Sequence, residues 1–187
     1  MIELDPKTSA LILIDLQAGV IRMPLQPRGG PETLAAGKAL AEKFRAAGAK
    51  VVLVRVDFAP DFADAPRQPV DAPFSGAREA GWSELAEGLA QPGDILIVKR
   101  QWGAFHGTEL DLQLRRRGIG TVVIGGIATN FGVESTARQA WENGYAVVIP
   151  EDACASRSTE LHEMAIEHIF PRISRVTKCA DIGFAAN

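Results

Sequence analysis

Cysteine and histidine are scarce in this sequence. The two cysteines, Cys154 and Cys179, are too few for a disulfide framework. The three histidines, His106, His162 and His168, are scattered, and the chain has neither a CxxC nor an HExxH motif. We therefore predict reduced thiols, and we expect neither a metal nor another cofactor.

The chain also lacks a concentration of basic charge and a long apolar run. Its formal net charge is -3, and its arginine triplet at 115–117 is short enough to be an ordinary helix end. No run approaches the roughly 18 apolar residues of a membrane span. In MIELDPKTSALILIDLQ, acidic residues precede the first apolar run, where a secretory signal would have basic ones. We expect a cytoplasmic protein that acts on a small molecule and binds neither nucleic acid nor membranes.

Apolar runs of strand length alternate with helical patterns along the chain. With 187 residues, 47% of them hydrophobic, the chain suits one substantial core, so we predict a single domain over residues 1–187. The predicted strands are 10–14, 50–56, 94–98, 121–125, 146–149 and 173–177, and the predicted helices are 31–47, 83–90, 108–117, 133–143 and 158–170. This alternation is typical of an α/β fold with a parallel, doubly wound sheet covered on both faces.

One connection is unusually long. Residues 57–81 contain four prolines and show little periodicity. The segment is longer than most connections in a compact domain. The segment could be a disordered insertion. Its place after a parallel strand favours a lid or a substrate-binding loop, because ligand crevices form at the carboxyl ends of such strands.

Polar residues end several of the predicted strands. Asp15 follows ALILI, Asp57 follows VVLVRV, Lys99 follows DILIV, and GGIATN ends the fourth strand. The carboxyl ends of parallel strands share one edge of a sheet, so these groups can converge in one crevice. A carboxylate after four apolar residues needs a partner if it is buried, and Lys99 is the natural one. Alternatively, Asp15 caps the following segment and Lys99 lies at the surface.

Three stretches resemble a known family. LILIDLQ, IVKRQWGAFHGTEL and GGIATNFGVESTARQAWENGYAVVIPEDACAS are similar to the signature regions of the isochorismatase-like hydrolases, also called the cysteine hydrolase superfamily. The likeness extends over essentially the whole chain and includes a bacterial branch that shares KRQWGAF and TNxGVESTARxAW. It implies a three-layer α/β/α fold with a six-stranded, mostly parallel sheet, and assembly into homo-dimers or tetramers.

The resemblance also implies catalytic residues. Amidases of the superfamily use an Asp, a Lys and a nucleophilic Cys, and these positions fall on Asp15, Lys99 and Gly132. The nucleophile is therefore replaced by glycine. Family structures tend to have a cis peptide before the third signature, here Ile127-Ala128, which aims the amides of Ala128 and residue 132 at an oxyanion.

A glycine at this position suits a reaction without a thiol. Isochorismatases hydrolyse a vinyl ether with an Asp as the proton donor, and some members with that activity have glycine here. In this interpretation Asp15 donates the proton, Lys99 tunes it, and Gly132 leaves room for substrate or water. Gly132 could instead serve only a close backbone approach, and Cys154 could replace the missing thiol, although its surroundings suggest a packed apolar residue.

Further residues are predicted to contact the substrate. The polar ones are Gln17, Asp57 and Asn130, while Trp102, Phe105 and Ala128 would line the site. Arg100 and Arg138 could bind a carboxylate, although a helix salt bridge explains Arg138 equally well.

We thus expect a small-molecule hydrolase that forms no covalent cysteine intermediate. Two alternatives stay open: a small-molecule-binding or regulatory protein that has lost catalysis, and an amidase with an unrecognised nucleophile. The histidines of the nicotinamidase metal site are absent from VDFAPDF, so no metal is predicted.

Overall fold

The computed structural model describes residues 1–72 and 79–185, and a parallel sheet forms its centre. The strands in these ranges are β1 (Ile2–Leu4), β2 (Ser9–Ile14), β3 (Lys50–Val56), β4 (Ile95–Lys99), β5 (Thr121–Ile127), β6 (Ala146–Pro150), β7 (Cys154–Ala155), β8 (Arg175–Thr177) and β9 (Ile182–Phe184). Valine, isoleucine and leucine dominate β2 to β6. The central strand β2 is buried on both faces, whereas β4, at the edge of the sheet, exposes Leu96 and Val98 on one face.

The α-helices in the same ranges are α1 (Ala18–Ile21), α2 (Gly30–Ala46), α3 (Leu110–Arg115), α4 (Glu134–Glu142) and α5 (Thr159–Met164). A π-helical turn, Thr129–Val133, leads into α4, and another, Ala165–Ile169, follows α5. The longest helix, α2, has Pro31 in its first turn, and the Ser158 hydroxyl accepts the Leu161 N–H at the start of α5. Within the described ranges, no helix is both long and apolar enough to cross a membrane.

The order of the strands confirms the predicted α/β class. In the described part of the chain, six strands lie side by side in the order β4-β3-β2-β5-β6-β8, and every ladder is parallel. The two-residue β7 continues the pairing with β5 after β6, and β1 pairs with β9 in a separate short ladder. The central sheet thus has the six predicted strands and one additional short strand.

Two apolar layers cover the sheet. Ile12 and Ile14 of β2 lie in the same core cluster as Leu110 and Leu114 of α3 and residues of α4. Leu11 and Leu13, which point to the opposite face, pack in the cluster that contains Leu40 and Phe44 of α2. Because β2 is buried on both faces, Asp15, at its end, lies next to the centre of the molecule.

The predicted helix over residues 83–90 is wrong. This segment forms turns and an isolated antiparallel bridge between Leu85 and Gln17. Its backbone bonds to the segment after β2 rather than to itself: Ala18 donates to the Glu84 carbonyl, and Ala86 donates to the Leu16 carbonyl. Pairing with a distant segment has overridden the local helical preference.

The remaining boundaries shift by a few residues. The predicted helix 158–170 is split into α5, the π-helical turn and a short 3-10 turn, Phe170–Arg172. The predicted strand 173–177 begins only at Arg175, and the sequence did not reveal β1, β7 or β9. Of the long connection 57–81, residues 73–78 lie outside the described residues, so the proposed lid is only partly described.

Candidate functional site

The predicted ion pair between Asp15 and Lys99 is present. The Lys99 Nζ lies 2.7 Å from the Asp15 Oδ2, and the two side chains are 1% and 10% exposed. The strand order explains how they meet: β2 and β4 flank β3, so their axes are about 10 Å apart. A side chain as long as lysine reaches across β3, on the face of the sheet that it shares with Ile97.

The backbone turns sharply at Asp15. Its φ is +53°, in the left-handed region that aspartate tolerates better than most residues, and its N–H donates to the Val54 carbonyl at 2.9 Å. The chain therefore leaves β2 abruptly at this residue. The carboxylate is placed at the edge where the neighbouring strands also end.

Asp15 is incompletely satisfied in its buried position. Burial raises the pKa of its carboxyl to about 6, against the opposing attraction of the Lys99 ammonium. Its Oδ1 atom is buried and has no hydrogen-bond partner among the described residues. A carboxyl with this pKa exchanges a proton near neutral pH, and its free oxygen can accept a hydrogen bond from a ligand.

Gly132 closes the third side of the site. It lies in the π-helical turn Thr129–Val133, directly after a cis peptide between Ile127 and Ala128, which the resemblance implied. A Cβ built on Gly132 would lie 3.2 Å from the Lys99 Nζ and 3.4 Å from the Asp15 Oδ2. A side chain at position 132 would therefore point at the ion pair. The same Cβ would lie 3.0 Å from the Ile14 Cγ2, so the expected room for substrate or water is not found at this position.

Comparisons with known proteins show the family of the chain. The model of the family described as "Isochorismatase domain" matches residues 9–181. The chain belongs to the isochorismatase family. It is 52% identical over 185 residues to the uncharacterized isochorismatase family protein YecD of Escherichia coli O157:H7, covering 97% of this chain and 98% of that protein.

Amidohydrolases and solved structures of the isochorismatase family are also similar. The ureidoacrylate amidohydrolase RutB of Methylobacterium radiotolerans is 32% identical over 195 residues, which cover 90% of this chain and 75% of RutB. An isochorismatase family protein from Burkholderia thailandensis superimposes with a TM-score of 0.92 at 45% identity, covering 96% and 95% of the two chains. The N-carbamoylsarcosine amidase of Thermoplasma acidophilum gives a TM-score of 0.74 at 25% identity, covering 93% and 98%. This isochorismatase-family protein is therefore placed in a family of hydrolases.

Two of the predicted polar contacts are occupied by the protein itself. The buried Gln17 amide donates to the Val56 and Trp82 carbonyls at 3.1 and 3.2 Å, and its oxygen accepts the Val56 N–H at 2.8 Å. Gln17 thus fastens the end of β3 beneath the site. Half-buried Asp57 accepts from Arg55 at 2.8 Å and from the Phe58 N–H at 2.9 Å. Direct substrate contacts by these residues stay predictions.

The structure separates the two aromatic residues that were expected to line the site. Trp102 is 63% exposed, and its ring centroid lies 4.7 Å from that of Phe131. Phe105 is only 7% exposed and packs in the core, with its centroid 5.7 Å from that of Tyr145. Of these two predicted residues, Trp102 has the ring that a ligand could cover.

The residues around the cis peptide contact the segment after β7. The Ser156 hydroxyl donates to the side-chain oxygen of half-buried Asn130 at 2.5 Å, whereas Ala128 packs against the core layer of α2.

Arg100 pairs with Asp64, and Arg138 pairs with Glu134 along α4. Both arginines that were considered for carboxylate binding therefore have acidic partners.

Cys154 lies in the core. Its side chain is fully buried, its thiol lies 3.5 Å from the Pro150 carbonyl oxygen, and burial raises its pKa to about 12. A thiol with such a pKa is almost entirely protonated at neutral pH and is a poor nucleophile. This placement argues against Cys154 as a nucleophile.

Sequence reasoning missed two contacts near the site. The Lys99 ammonium also donates to the Trp102 carbonyl at 2.6 Å. The hydroxyl of Thr129, in the same turn as Gly132, lies 2.8 Å from the Nδ1 of buried His162. Burial lowers the pKa of His162 to about 4, helped by the Arg28 charge, so this histidine is neutral at physiological pH. Neither contact leaves a signal in the sequence, because one uses a backbone carbonyl and the other joins residues on different elements.

Two surface depressions in the described part of the chain are not lined by the ion pair. One of about 640 Å³ is lined by Ala18, Ile21, Arg22, Leu34 and residues 84–87. Asp15 and Lys99 are not among its lining residues. We take the ion pair as the candidate site because its buried carboxyl has an oxygen without a partner among the described residues.

Proposed function

We propose that this protein hydrolyses a small molecule by acid–base chemistry, without a covalent cysteine intermediate. Asp15 transfers the proton, Lys99 controls the charge of Asp15, and Gly132 supplies no nucleophilic side chain. The observation that carries the proposal is the geometry of residue 132. The missing Cβ would lie within 3.4 Å of both members of an intact ion pair.

In this proposal, residue 132 occupies the position of the nucleophile in the amidases of this superfamily. Covalent acyl transfer needs a nucleophile next to a base, and glycine supplies none. The acid–base pair nevertheless remains buried at this position, which costs desolvation energy. Keeping such a pair is expected of an enzyme whose chemistry needs a proton donor but no thiol.

Hydrolysis of a vinyl ether fits these residues. Protonated Asp15 gives its proton to the vinyl carbon, and the ether oxygen stabilises the resulting cation. Water then adds to the cationic carbon while the Asp15 carboxylate accepts a proton from it. The hemiacetal formed in this way collapses to a carbonyl compound and an alcohol. The proton that Asp15 gives in the first step stays on the carbon, and a proton from the added water replaces it in the second, so the enzyme ends unchanged.

The electrostatics of Asp15 suit both steps. A pKa of about 6 keeps a useful fraction of the carboxyl protonated near neutral pH, and the Lys99 ammonium stabilises the carboxylate left after proton transfer. The exposed ring of Trp102, packed on Phe131, is a candidate wall for a planar substrate.

Amide hydrolysis is the second candidate. It is favoured by the similarity to proteins named as amidohydrolases, among them RutB. In this case water would take the place of the thiol, and Asp15 would begin as a carboxylate that accepts the proton of the water. A protein that only binds a small molecule is the third candidate, and the same experiment tests it.

The test is a turnover screen on the purified chain. Isochorismate, ureidoacrylate, nicotinamide and simple amides are offered to the native protein and to the variants Asp15→Asn and Lys99→Ala. Asp94→Asn is a matched control, because Asp94 is paired with Arg45. We expect turnover that Asp15→Asn abolishes and Asp94→Asn preserves. Turnover by Asp15→Asn, a covalent adduct trapped by mass spectrometry, or binding without turnover would each overturn the proposal.

A further inference from the structure

The loop after β4 holds the Lys99 ammonium in place. Besides the Asp15 Oδ2, the ammonium donates to the Trp102 carbonyl at 2.6 Å. An ammonium has three donors, so two of them are directed by these oxygens. The position of the Trp102 carbonyl therefore helps to decide where the positive charge lies relative to Asp15.

The loop itself has no regular secondary structure that would fix this carbonyl. Residues 100–107 form bends and a turn, and the Trp102 side chain is 63% exposed. The neighbouring backbone is instead attached to α4. The Ala104 N–H donates to the Thr136 hydroxyl at 3.2 Å, and the Phe105 N–H donates to the Gln139 side-chain oxygen at 3.1 Å.

The contact between this loop and α4 is close. A Cβ on Gly103 would overlap the side-chain oxygen of Gln139. The loop backbone therefore packs directly against that side-chain amide. Thr136 and Gln139 are three residues apart and therefore lie on one face of α4. Together they bind consecutive N–H groups of the loop, two and three residues after Trp102.

Thr136 also binds the turn that carries Gly132. Its hydroxyl donates to the Gly132 carbonyl at 2.7 Å while it accepts the Ala104 N–H, and the side chain is fully buried. A hydroxyl bond to the carbonyl four residues earlier is common in helices. What distinguishes Thr136 is that the same oxygen joins the two segments that flank the ion pair.

From these contacts we infer that Thr136 and Gln139 are positioning residues of the site: through the Trp102 carbonyl they set the place of the Lys99 ammonium beside Asp15 and Gly132. The inference rests on the proposed role of Asp15 and Lys99. Thr136 coordinates the loop with the turn, and Gln139 fixes the loop alone. Neither side chain is proposed to touch the substrate.

The test compares Thr136→Val with Thr136→Ser. Valine keeps the shape and removes the hydroxyl, whereas serine keeps the hydroxyl. Without the hydrogen bond between the Ala104 N–H and the Thr136 hydroxyl, the Trp102 carbonyl is less fixed and holds the Lys99 ammonium less firmly. The attraction of this ammonium for the Asp15 carboxylate then weakens. Lys99 is the charged side chain that faces Asp15 among the described residues. We therefore expect Thr136→Val to raise the carboxyl pKa by about half a unit or more, and Thr136→Ser to leave it unchanged. The carboxyl is followed by NMR during a pH titration.

Thr33 provides a matched control. It is also fully buried, and its hydroxyl also donates to a carbonyl four residues earlier, Gly29, at 3.0 Å. Thr33→Val should lower stability without moving the pKa of Asp15. Gln139→Met, which removes only the second attachment, should shift the pKa in the same direction as Thr136→Val.

Each outcome of this comparison is decisive. An Asp15 pKa that is unchanged in folded Thr136→Val and Gln139→Met overturns the inference, and so does an equal shift in Thr33→Val. If Thr136→Val does not fold, Gln139→Met decides alone. The titration needs no substrate, so failure of the proposed hydrolysis is seen separately, as an absence of turnover in the native protein. With an active substrate, Thr136→Val should lower kcat more than it changes KM.

Discussion

Strand β4 has an ion pair at each end, and the two pairs differ in how completely they are satisfied. Before the strand, Asp94 receives two hydrogen bonds from Arg45, at 3.1 and 2.7 Å, and a third from the Gln91 N–H at 2.9 Å. At its end, Lys99 meets Asp15, whose Oδ1 is buried without a partner among the described residues. The first pair is saturated, whereas the second has a free acceptor.

We propose that this difference separates a structural pair from a functional one. Arg45 uses a two-pronged geometry to fasten α2 to the beginning of β4, and it also donates to the Leu89 carbonyl at 2.8 Å. The Asp15 Oδ2 instead lies 3.4 Å from the position that a Cβ of residue 132 would take. A buried acceptor without a partner costs free energy, so it is expected where a ligand will supply the missing bond.

The largest expected effect is on catalysis. Asp15→Asn removes the proton donor, so we expect kcat/KM to fall by about 10²–10⁴-fold. Asp94→Asn makes the same chemical change at the other end of β4 and should leave kcat/KM within a few-fold. Steady-state kinetics on a substrate from the screen measures both. Equal losses in the two variants would remove the distinction between the pairs.

The second effect is on folding and depends on pH. Lys99→Met leaves the Asp15 carboxyl buried without its counter-charge, which raises the carboxyl pKa further above its value in the unfolded chain. The folded state then holds a proton that the unfolded state has lost, so stability declines as pH rises from about 4 to the raised pKa. We expect a loss of about 3–5 kcal/mol at pH 8 and a smaller one at pH 5.

Arg45→Met is the control for this measurement. It should lower the free energy of unfolding by only about 1–3 kcal/mol, because Asp94 keeps the hydrogen bond from the backbone N–H of Gln91. Urea unfolding at pH 5 and pH 8 compares the two variants. A loss in Lys99→Met that is the same at both pH values would contradict the burial of an unpaired carboxyl.

A smaller effect on stability is expected from adding a side chain at residue 132. Gly132→Cys should lower stability by about 1–3 kcal/mol, because the new Cβ would lie 3.0 Å from the Ile14 Cγ2. The Lys99 ammonium should lower the pKa of this thiol below the usual value of about 8.5, against the opposing charge of the Asp15 carboxylate. Alkylation rates against pH, mapped by mass spectrometry, measure it.

Gly120→Cys is the matched variant. Nothing lies within 4 Å of a Cβ at Gly120, so its thiol should react as an ordinary exposed cysteine. If the two introduced thiols have the same alkylation profile, residue 132 does not point at a functional pair. A burst of product from an amide substrate in Gly132→Cys would show that the site still supports a thiol nucleophile.

The smallest effect is the dependence of the native reaction on pH. With Asp15 as the proton donor and a pKa of about 6, kcat/KM should fall about tenfold per unit at pH values above 6. Asp94→Asn should follow the same curve. An activity that instead rises through pH 6 would mean that Asp15 acts first as a base, as water-mediated amide hydrolysis requires.

The ion pair could be predicted from the sequence because it depends on the topology of the sheet. Runs of apolar residues predicted parallel strands, and parallel strands bring Asp15 and Lys99 to one edge whatever the details of packing. Sequence reasoning failed over residues 83–90, where backbone bonds to the segment after β2 replace a helix. It also could not separate Trp102 from Phe105, because two aromatic residues in one loop have no periodicity that assigns one to the core.

The sequence by itself determined the α/β class, the strands that end in charged residues, and the presence of a glycine at residue 132. Only the tertiary structure decided that the Asp15 Oδ1 lacks a partner and that the Trp102 carbonyl holds Lys99. The physical reason is that strand formation depends on local patterns of apolar residues. Hydrogen-bond satisfaction, by contrast, depends on distances between segments that are far apart in the chain, and backbone carbonyls are the same at every residue.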